Sequence, residues 1–333
     1  MQKFSDYFND WLYGQKGYYS NYKTIGKEGD FYTSVSTSSF FGGAIAKKII
    51  TEIENKKLSS HATILEVGSH HGYLLADIIQ FIYTLKPKLL NTLRFAIVER
   101  FDKLQLQQKN YLEQSFGNAI TLDFYNDISE VRLSNAFVIA NEIFDAFSCE
   151  LVYTKDNQLH QGFIHNHTIT FEPCKDMQLL EYCKKNRIEK GEVAVGYEAF
   201  LNTLSTHIEH FIFVTFDYGD NYPRNDFSTR IYSKHKVIPL FEEGLNLKEY
   251  FAVSDITYDV NFQHLIHIAK DLNLTSNYQT QMQALIEFGI IELLEILKAN
   301  VDENSYLRET QKVKTLLEPT GMGDRFKMLE LRN

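Results

Sequence analysis

A short apolar run that ends in a glycine-containing turn decides the fold class of this chain. Residues 62–72 read ATILEVGSHHG, and residues 73–85, YLLADIIQFIYTL, follow with apolar side chains at helical spacing. An apolar run of this length is typical of a strand that is buried on both faces of a sheet. Gly68 and Gly72 allow the backbone to turn sharply from that strand into the helix. The stretch therefore predicts the first strand and helix of an α/β sheet.

The same alternation of strand and helix continues towards the C-terminus. A second helix is predicted over residues 102–116. The other predicted core strands share a short apolar run and cover residues 94–100, 119–124, 135–142, 210–219 and 324–332. This alternation favours a parallel sheet with helices on both faces and right-handed crossovers.

Patterning divides the 333 residues into four segments. They are an N-terminal helical segment with a polar turn predicted to act as a lid (1–60), a Rossmann-like core (61–148), an insertion of a hairpin and helices (149–209), and the remainder of the core sheet with a helical insertion at 259–318 (210–333). Asp156-Asn157 is the predicted hairpin turn, and residues 176–208 are predicted to be helical.

Charge and cysteine content exclude several classes of protein. The chain has 34 Lys and Arg against 43 Asp and Glu, a formal net charge of −9. Nucleic-acid binding needs a positive footprint, so nucleic acid is not an expected partner. Three sparse cysteines without a CxxC pair argue against a disulfide framework. The N-terminus lacks an apolar signal core and no apolar window is long enough to span a membrane, so a cytoplasmic protein without membrane insertion is expected.

Histidine pairs give only a superficial suggestion of a metal site. His207 with His210 and His264 with His267 have the helical spacing of i and i+3. Neither pair has a third ligand nearby in the sequence, whereas zinc sites need three or four. No metal is predicted.

The residues that follow the first two strands are typical of a nucleotide-like cofactor site. Ligands of open α/β sheets bind beyond the carboxyl ends of the strands. Glu99 lies 31 residues after Gly68, which suits a carboxylate that accepts from ribose hydroxyls. A solvated carboxylate at a helix start is the open alternative. The chain has no phosphate-binding G-K-[ST] motif, and the third glycine of the dinucleotide fingerprint is missing. S-adenosylmethionine carries no phosphate and fits better, and Glu66-x-Gly68 is a common start of the methyltransferase motif.

Several segments spread over nearly the whole chain resemble one family, the MidA family of S-adenosylmethionine-dependent methyltransferases. The matching segments are Glu28–Ser34 (EGDFYTS), Phe41-Gly42, Leu65–Gly68 (LEVG) through Ala76-Asp77, Val98-Glu99, Ala140–Ala146 (ANEIFDA), Asp217–Gly219 (DYG), Thr229-Arg230, Asp255–Thr257 (DIT) and Met322–Leu331 (MGDRFKMLEL). The resemblance implies a Rossmann-like, seven-stranded class I methyltransferase sheet with a helical N-terminal segment and helical insertions. It also implies S-adenosylmethionine as cofactor and ω-N symmetric dimethylation of an arginine in a respiratory complex I subunit, homologous to the mitochondrial 49-kDa subunit, during assembly.

The resemblance and the strand ends together suggest site residues. Cofactor binding is predicted for Tyr32, Thr33, Glu66, Gly68, Ser69, His70, Gly72, Glu99, Asn126 and Asp127. Glu142 is predicted to clamp the guanidinium, Asn141 to position cofactor or acceptor, and Asp145 to assist them, since carboxylates bind guanidinium through charge-assisted hydrogen bonds. Substrate contacts are predicted for Asp30, Phe31, Asp217, Tyr218 and Gly219. The alternatives that stay open are a helix cap at Asn141-Glu142 and at Asn126-Asp127, a packed turn at Phe31-Tyr32 and a strand-ending turn at Asp217–Gly219.

The chain departs from the family pattern at four positions. His70 stands where the family has glycine, Val35 replaces a proline, Asp259 replaces a histidine and Asn261 replaces an aspartate. His70 supports an alternative function, a binding or assembly protein that keeps the fold with little activity. A methyltransferase that acts on another protein or on a small molecule is a further alternative, and a homodimer is left open.

Overall fold

The computed structural model describes residues 1–21 and 33–333. The strands are β1 (Gln2–Lys3), β2 (Thr63–Val67), β3 (Arg94–Val98), β4 (Leu122–Tyr125), β5 (Leu133–Asn141), β6 (Cys149–Lys155), β7 (Gln158–His165), β8 (Thr168–Pro173), β9 (Lys190–Ala194), β10 (Ile208–Asp220), β11 (Arg230–Ser233), β12 (Lys236–Pro239), β13 (Asp255–Thr257), β14 (Val260–Asn261), β15 (Thr275–Thr280) and β16 (Phe326–Arg332). The helices are α1 (Phe4–Tyr13), α2 (Ser34–Thr37), α3 (Phe40–Glu54), α4 (Tyr73–Leu85), α5 (Asp102–Phe116), α6 (Met177–Asn186), α7 (Tyr197–His207), α8 (Leu247–Tyr250), α9 (Phe262–Asp271), α10 (Gln281–Glu287), α11 (Ile290–Asn300) and α12 (Glu303–Leu317).

One compact unit, which we call the sheet unit, contains residues 33–142, 200–218 and 269–333. Its strands follow the order β15-β16-β10-β5-β2-β3-β4. Five neighbouring strands of this order, β10, β5, β2, β3 and β4, run parallel. Strand β16 is antiparallel to both of its neighbours. The predicted α/β fold with a mostly parallel sheet is confirmed, and the short strand β14 pairs in parallel with the last residues of β10 as an eighth strand.

The central strands of the sheet unit are apolar because both of their faces are covered. All five residues of β2 are buried, and Leu65 pairs with Val138 of β5 and with Ala96 of β3. Helices α3 and α4 pack closely at a glycine of α3. A Cβ atom on Gly43 would lie only 2.7 Å from the ring of Phe81 on α4. Burial of each large apolar side chain contributes about 1.5–3 kcal/mol.

Two stretches that were predicted to be helical also contain strands. Residues 176–208 form α6 and α7 with β9 between them, and residues 259–318 include β15. Both are edge strands with many polar side chains, Lys190-Gly-Glu-Val-Ala194 and Thr275-Ser-Asn-Tyr-Gln-Thr280. Two residues of β9 and none of β15 are buried, so neither strand has the continuous apolar run that identified the central strands.

The second compact unit, the insertion unit, contains residues 1–21, 143–199 and 219–268 within the described part of the chain. One sheet has the order β1-β7-β6-β9 with β8 on β7, and a smaller sheet has the order β12-β11-β13. Asp156 and Asn157 form the predicted hairpin turn between β6 and β7, with φ angles of 51° and 62°. Helix α1 buries an aromatic face, and the Trp11 indole N–H donates to the Ser254 carbonyl at 2.7 Å.

Across the described residues, no helix combines the length and the apolar character that a bilayer span requires.

Candidate cofactor and acceptor site

The parallel strands of the sheet unit bring four predicted site residues to one edge. Gly68, Glu99, Asn126 and Glu142 come directly after β2, β3, β4 and β5. These strands are parallel neighbours, so their carboxyl ends meet at the same edge of the sheet. This edge is where open α/β sheets bind ligands.

The first turn, residues 68–72, has a left-handed backbone at three positions. The φ angles are 75° at Gly68, 45° at His70 and 78° at Gly72. The Gly72 amide donates to the Ser69 carbonyl at 2.7 Å and closes the turn before α4 begins. His70 therefore keeps the backbone conformation that a glycine would adopt freely, at a cost of about 1–2 kcal/mol for a residue with a Cβ atom.

The Glu66 side chain stabilises the first turn through hydrogen bonds. Its Oε2 atom accepts from the Ser69 hydroxyl at 2.6 Å and from the Leu75 amide at 3.1 Å. Burial raises the pKa of Glu66 to about 8, against the opposing effect of these two hydrogen bonds. The carboxyl is therefore largely protonated at neutral pH, and it ties the last residues of β2 to the first turn of α4.

Glu99 is a buried carboxylate at the end of β3. Its amide donates to the Tyr125 carbonyl at 2.9 Å, and its Oε1 atom accepts from the Phe101 amide at 3.1 Å. The side-chain amide of Gln108 donates to Oε2 at 3.4 Å. Burial raises the pKa of Glu99, while these hydrogen bonds lower it.

Asn126 and Asp127, the two residues that follow β4, form hydrogen bonds with residues close to them in the chain. Asp127 accepts from the Ser129 amide at 2.8 Å and caps the short 3₁₀ helix Ile128–Glu130, which lowers the pKa of Asp127. The backbone amide of Asn126 donates to the Glu130 Oε2 atom at 2.9 Å. The helix-cap alternative is therefore correct for Asp127. The Asn126 Oδ1 atom instead accepts a hydrogen bond from the Gln105 side chain of α5 at 2.8 Å.

Asn141 and Glu142 form a connected pair at the end of β5. The Asn141 Nδ2 atom donates to Glu142 Oε1 at 2.8 Å, and the Ser34 amide donates to the same oxygen at 3.3 Å. Glu142 has a φ angle of 53°, and its amide donates to the Phe216 carbonyl at 2.8 Å. The alternative of a helix cap is wrong, because Asn141 is the last strand residue and Ile143 occupies the N-cap of the next 3₁₀ helix.

Helix α2 places Ser34 beside this pair. Thr33 caps α2 and accepts from the Ser36 amide at 3.1 Å in a capping box. The buried Ser34 hydroxyl donates to Gln281 at 3.0 Å, and Gln281 in turn donates to the Leu316 carbonyl at 3.0 Å. The predicted site residues Asp30, Phe31 and Tyr32 lie outside the described residues.

Asp217 and Tyr218 lie on β10, next to β5 in the sheet. Asp217 is fully buried, and its Oδ1 atom accepts from the Tyr218 amide at 2.9 Å. The Tyr218 ring packs on Phe326, with 4.0 Å between the ring centroids. Gly219, in the insertion unit, has a φ angle of 147°, and a Cβ atom there would collide with the Val260 backbone.

Asp145 belongs to the insertion unit, where it lies near the charged pair Arg230–Asp259. Its carbonyl accepts from the Tyr258 amide at 3.3 Å. Burial raises the pKa of Asp145 to about 7; the Arg230 charge opposes this shift and the Asp259 charge adds to it. Asp259 forms ion pairs with Arg230 and with Arg224. The aspartate that replaces the family histidine is therefore the counter-ion of two arginines.

Asn261, the other departure in this stretch, accepts from the Gln263 amide at 3.1 Å where α9 begins.

Sequence reasoning missed four residues that support the edge. They are Ser34, Gln281, Gln105 and Gln108. Each is an uncharged polar residue. Ser34 ends the Glu28–Ser34 segment that resembles the family, whereas the sequence carries no signal that separates the three glutamines from solvated side chains.

In residues 1–21 and 33–333, no three His, Cys, Asp or Glu side chains are grouped so that they could hold a metal ion.

Comparison with known proteins identifies the family. Residues 44–280 match the family described as S-adenosyl-L-methionine-dependent methyltransferase. This match covers more than half of the chain. The chain belongs to the MidA family of S-adenosylmethionine-dependent methyltransferases. The resemblance seen in the sequence is thereby confirmed, as is S-adenosylmethionine as the cofactor.

The residues at the edge fit such a cofactor. S-adenosylmethionine brings donors, the ribose hydroxyls and the amino groups, and these need acceptors. Glu99 supplies a buried carboxylate, and the buried Asn141 Oδ1 atom accepts no hydrogen bond from any described residue. A buried acceptor without a partner costs about 1–3 kcal/mol, which a ligand donor would recover.

Curated relatives and a solved structure cover nearly the whole chain. "Protein arginine methyltransferase NDUFAF7, mitochondrial" from Danio rerio is 23% identical over 95% of this chain and 80% of its own length. The Homo sapiens protein of that name is 25% identical over 95% and 76%. A crystal structure of a Burkholderia thailandensis protein bound to S-adenosyl-homocysteine has a TM-score of 0.83 at 20% identity, covering 99% of this chain and 87% of that one.

The names of the relatives contradict the predicted cellular location. The sequence led us to expect a cytoplasmic protein. The relatives are named mitochondrial. The cytoplasmic prediction is therefore wrong.

Proposed function

We propose that this methyltransferase modifies a protein, by symmetric ω-N dimethylation of an arginine in a respiratory complex I subunit. The observation that carries the proposal is the Glu142 carboxylate at the end of β5, oriented by Asn141 and Ser34. The names of relatives that span 95% of the chain support an arginine acceptor.

The acceptor chemistry explains why a carboxylate is needed at this position. An arginine side chain is protonated at neutral pH, so its nitrogens are poor nucleophiles. A carboxylate binds guanidinium through strong, charge-assisted hydrogen bonds in a fixed plane. In our proposal, Glu142 binds and orients the guanidinium, and it accepts the proton that the reacting nitrogen loses. Bound S-adenosylmethionine supplies the electrophilic methyl group.

Two features support a fixed geometry for Glu142. The left-handed backbone at φ 53° costs a non-glycine residue about 1–2 kcal/mol, and such conformations concentrate at functional sites. The Asn141 amide and the Ser34 backbone both donate to Oε1 and restrict rotation of the carboxylate. Orientation of this kind supplies a large part of the rate in group transfer.

The cofactor, in the same proposal, lies along the edge from the first turn to Glu99. Glu66 and Ser69 hold the turn, Gly68, His70 and Gly72 give it its left-handed shape, and Glu99 accepts from the ribose hydroxyls. Asn126, Asp127, Thr33 and Tyr32 are also proposed to contact the cofactor. Asp30, Phe31, Asp217 and Tyr218 are proposed to contact the substrate.

The test compares Glu142→Gln with the wild-type enzyme. The variant keeps the size of the side chain and removes its charge, so methylation of a recombinant complex I subunit is expected to fall by about 100-fold or more. Affinity for S-adenosyl-homocysteine, measured by calorimetry, should stay within about twofold. Glu295→Gln, an exposed position on α11, is the matched control and should leave both quantities unchanged.

A second experiment identifies the acceptor. The gene is deleted in its host, and the complex I subunit homologous to the mitochondrial 49-kDa subunit is weighed intact. Loss of two methyl groups, restored by the wild-type gene and not by Glu142→Gln, is the expected result. An unchanged mass would reject this acceptor and favour another protein or a small molecule.

A further inference from the structure

Two glutamines on one face of α5 contact residues that follow three different strands. Gln105 and Gln108 are three positions apart, so their side chains leave the helix on the same face. Gln108 is fully buried, and its Nε2 atom donates to the His70 carbonyl at 2.7 Å and to Glu99 Oε2 at 3.4 Å. This single amide joins the first turn to the carboxylate after β3.

Gln105 continues the same set of contacts to the next strand. Its Nε2 atom donates to the Glu99 carbonyl at 2.6 Å and to Asn126 Oδ1 at 2.8 Å. Together the two side chains reach the residues after β2, β3 and β4. The backbone and the side chain of Glu99 are each held by one of them.

Gln108 has an energetic cost that packing alone does not explain. Its Oε1 atom is buried and accepts no hydrogen bond from any described residue. An unpaired buried acceptor costs about 1–3 kcal/mol, and a methionine of similar length would fill the same space without that cost. The donor side of the amide is therefore the part of Gln108 that the position requires.

We propose that Gln108, assisted by Gln105, is a positioning residue that holds Glu99 and the first turn in the geometry that binds S-adenosylmethionine. The inference rests on the proposed roles of Glu99 and the first turn in cofactor binding. Gln108 acts through these groups.

The titration of Glu99 gives a readout that a purely structural glutamine would not change. Burial raises the pKa of Glu99, and the Phe101 amide and Gln108 oppose this most strongly, with smaller effects of the Arg100 charge and the Arg100 amide. The Glu66 carboxyl also lies within electrostatic range of Glu99. Removal of the Gln108 amide takes away one of the donors that lower this pKa, so the pKa of Glu99 should rise. Once protonated, Glu99 has less capacity to accept hydrogen bonds from ribose hydroxyls.

The test measures calorimetric binding of S-adenosyl-homocysteine to Gln108→Met at pH 8 and pH 6. Affinity should be about tenfold weaker than in the wild-type protein at pH 8, the loss expected for one hydrogen bond to a charged group, and should weaken further at pH 6. Gln107→Met is the matched control, because Gln107 is an exposed neighbour on the same helix. Binding by Gln108→Met within twofold of the wild type at both pH values would overturn the inference.

A second variant keeps the test valid if Gln108→Met does not fold. Gln108→Glu preserves size and places a second carboxyl beside Glu99, and repulsion between the two carboxylates should weaken binding of S-adenosyl-homocysteine about tenfold or more at pH 8. Binding within twofold of the wild type at pH 8 would contradict the inference. Glu99→Gln separates the two proposals: undiminished binding by that variant rejects the role of Glu99, whereas loss there with unchanged binding by the Gln108 variants rejects only the positioning role.

Discussion

Replacement of Glu66 by glutamine should make the protein more stable in mildly alkaline solution. The ordinary pKa of this carboxyl is 4.5, and burial raises it to about 8 in the folded chain. As the pH rises between these values, the unfolded chain releases the proton and the folded chain keeps it. The free energy of unfolding therefore falls with rising pH through this window.

The size of the effect follows from the two pKa values. Each pH unit between them costs about 1.4 kcal/mol, so the loss by pH 9 is at most about 5 kcal/mol. Glutamine is uncharged at every pH, and its side-chain oxygen can accept from the Ser69 hydroxyl and the Leu75 amide as Glu66 does. At about 2 °C per kcal/mol for a large domain, Glu66→Gln should melt up to about 10 °C higher at pH 9.

The assay is thermal unfolding of ligand-free wild type and Glu66→Gln at pH 5.5 and pH 9. Glu66→Gln should melt about 3 °C higher than the wild type at pH 5.5, which is one pH unit above the ordinary pKa, and up to about 10 °C higher at pH 9. Asp77 and Asp145, whose pKa values burial raises to about 7, contribute a slope of the same sign to both proteins, so the difference reports Glu66 together with its electrostatic coupling to Asp77 and Glu99. Glu113→Gln, at an exposed position of α5, is the control. Parallel melting curves over the whole pH range would refute the assignment of a buried, protonated Glu66.

Two further substitutions test other features of the structure. His70→Gly removes the Cβ atom from a left-handed residue and should raise the melting temperature by about 2–4 °C while S-adenosyl-homocysteine still binds; a lower melting temperature would contradict the strain argument. Asp259→Asn leaves Arg230 and Arg224 without their shared carboxylate and should cost about 2–4 kcal/mol in urea unfolding, with Asp259→Glu restoring part of it; an unchanged midpoint would show that the ion pairs contribute nothing.

The core of the fold was predictable because its strands are buried on both faces. Residues 62–72 already contain β2 and the first turn, and the runs over 94–100 and 135–142 contain β3 and most of β5. Continuous apolar character is a direct consequence of burial in a parallel sheet. The edge strands β9 and β15 could not be found in this way, since water covers much of their surface.

The candidate site was predictable where a residue directly follows a strand. Glu99 and Glu142 are examples, because the chain order of parallel strands places their carboxyl ends together. Gln108 and Ser34 were not predictable as site residues, since their contacts with His70 and Glu142 join positions that are 38 and 108 residues apart along the chain. The pairing of Asp259 with Arg230 likewise depends on a fold that brings distant segments together, so a substitution that breaks the family pattern could not be interpreted from the sequence.

The central claim is that Glu142 of this S-adenosylmethionine-dependent methyltransferase binds an arginine acceptor. The most direct measurement is transfer of isotopically labelled methyl groups from S-adenosylmethionine to a recombinant complex I subunit, with the modified residue located by mass spectrometry. The account predicts label on an arginine with the wild-type enzyme, and a loss of about 100-fold or more with Glu142→Gln although S-adenosyl-homocysteine still binds. Label on another residue type, or equal labelling by the variant, would contradict it.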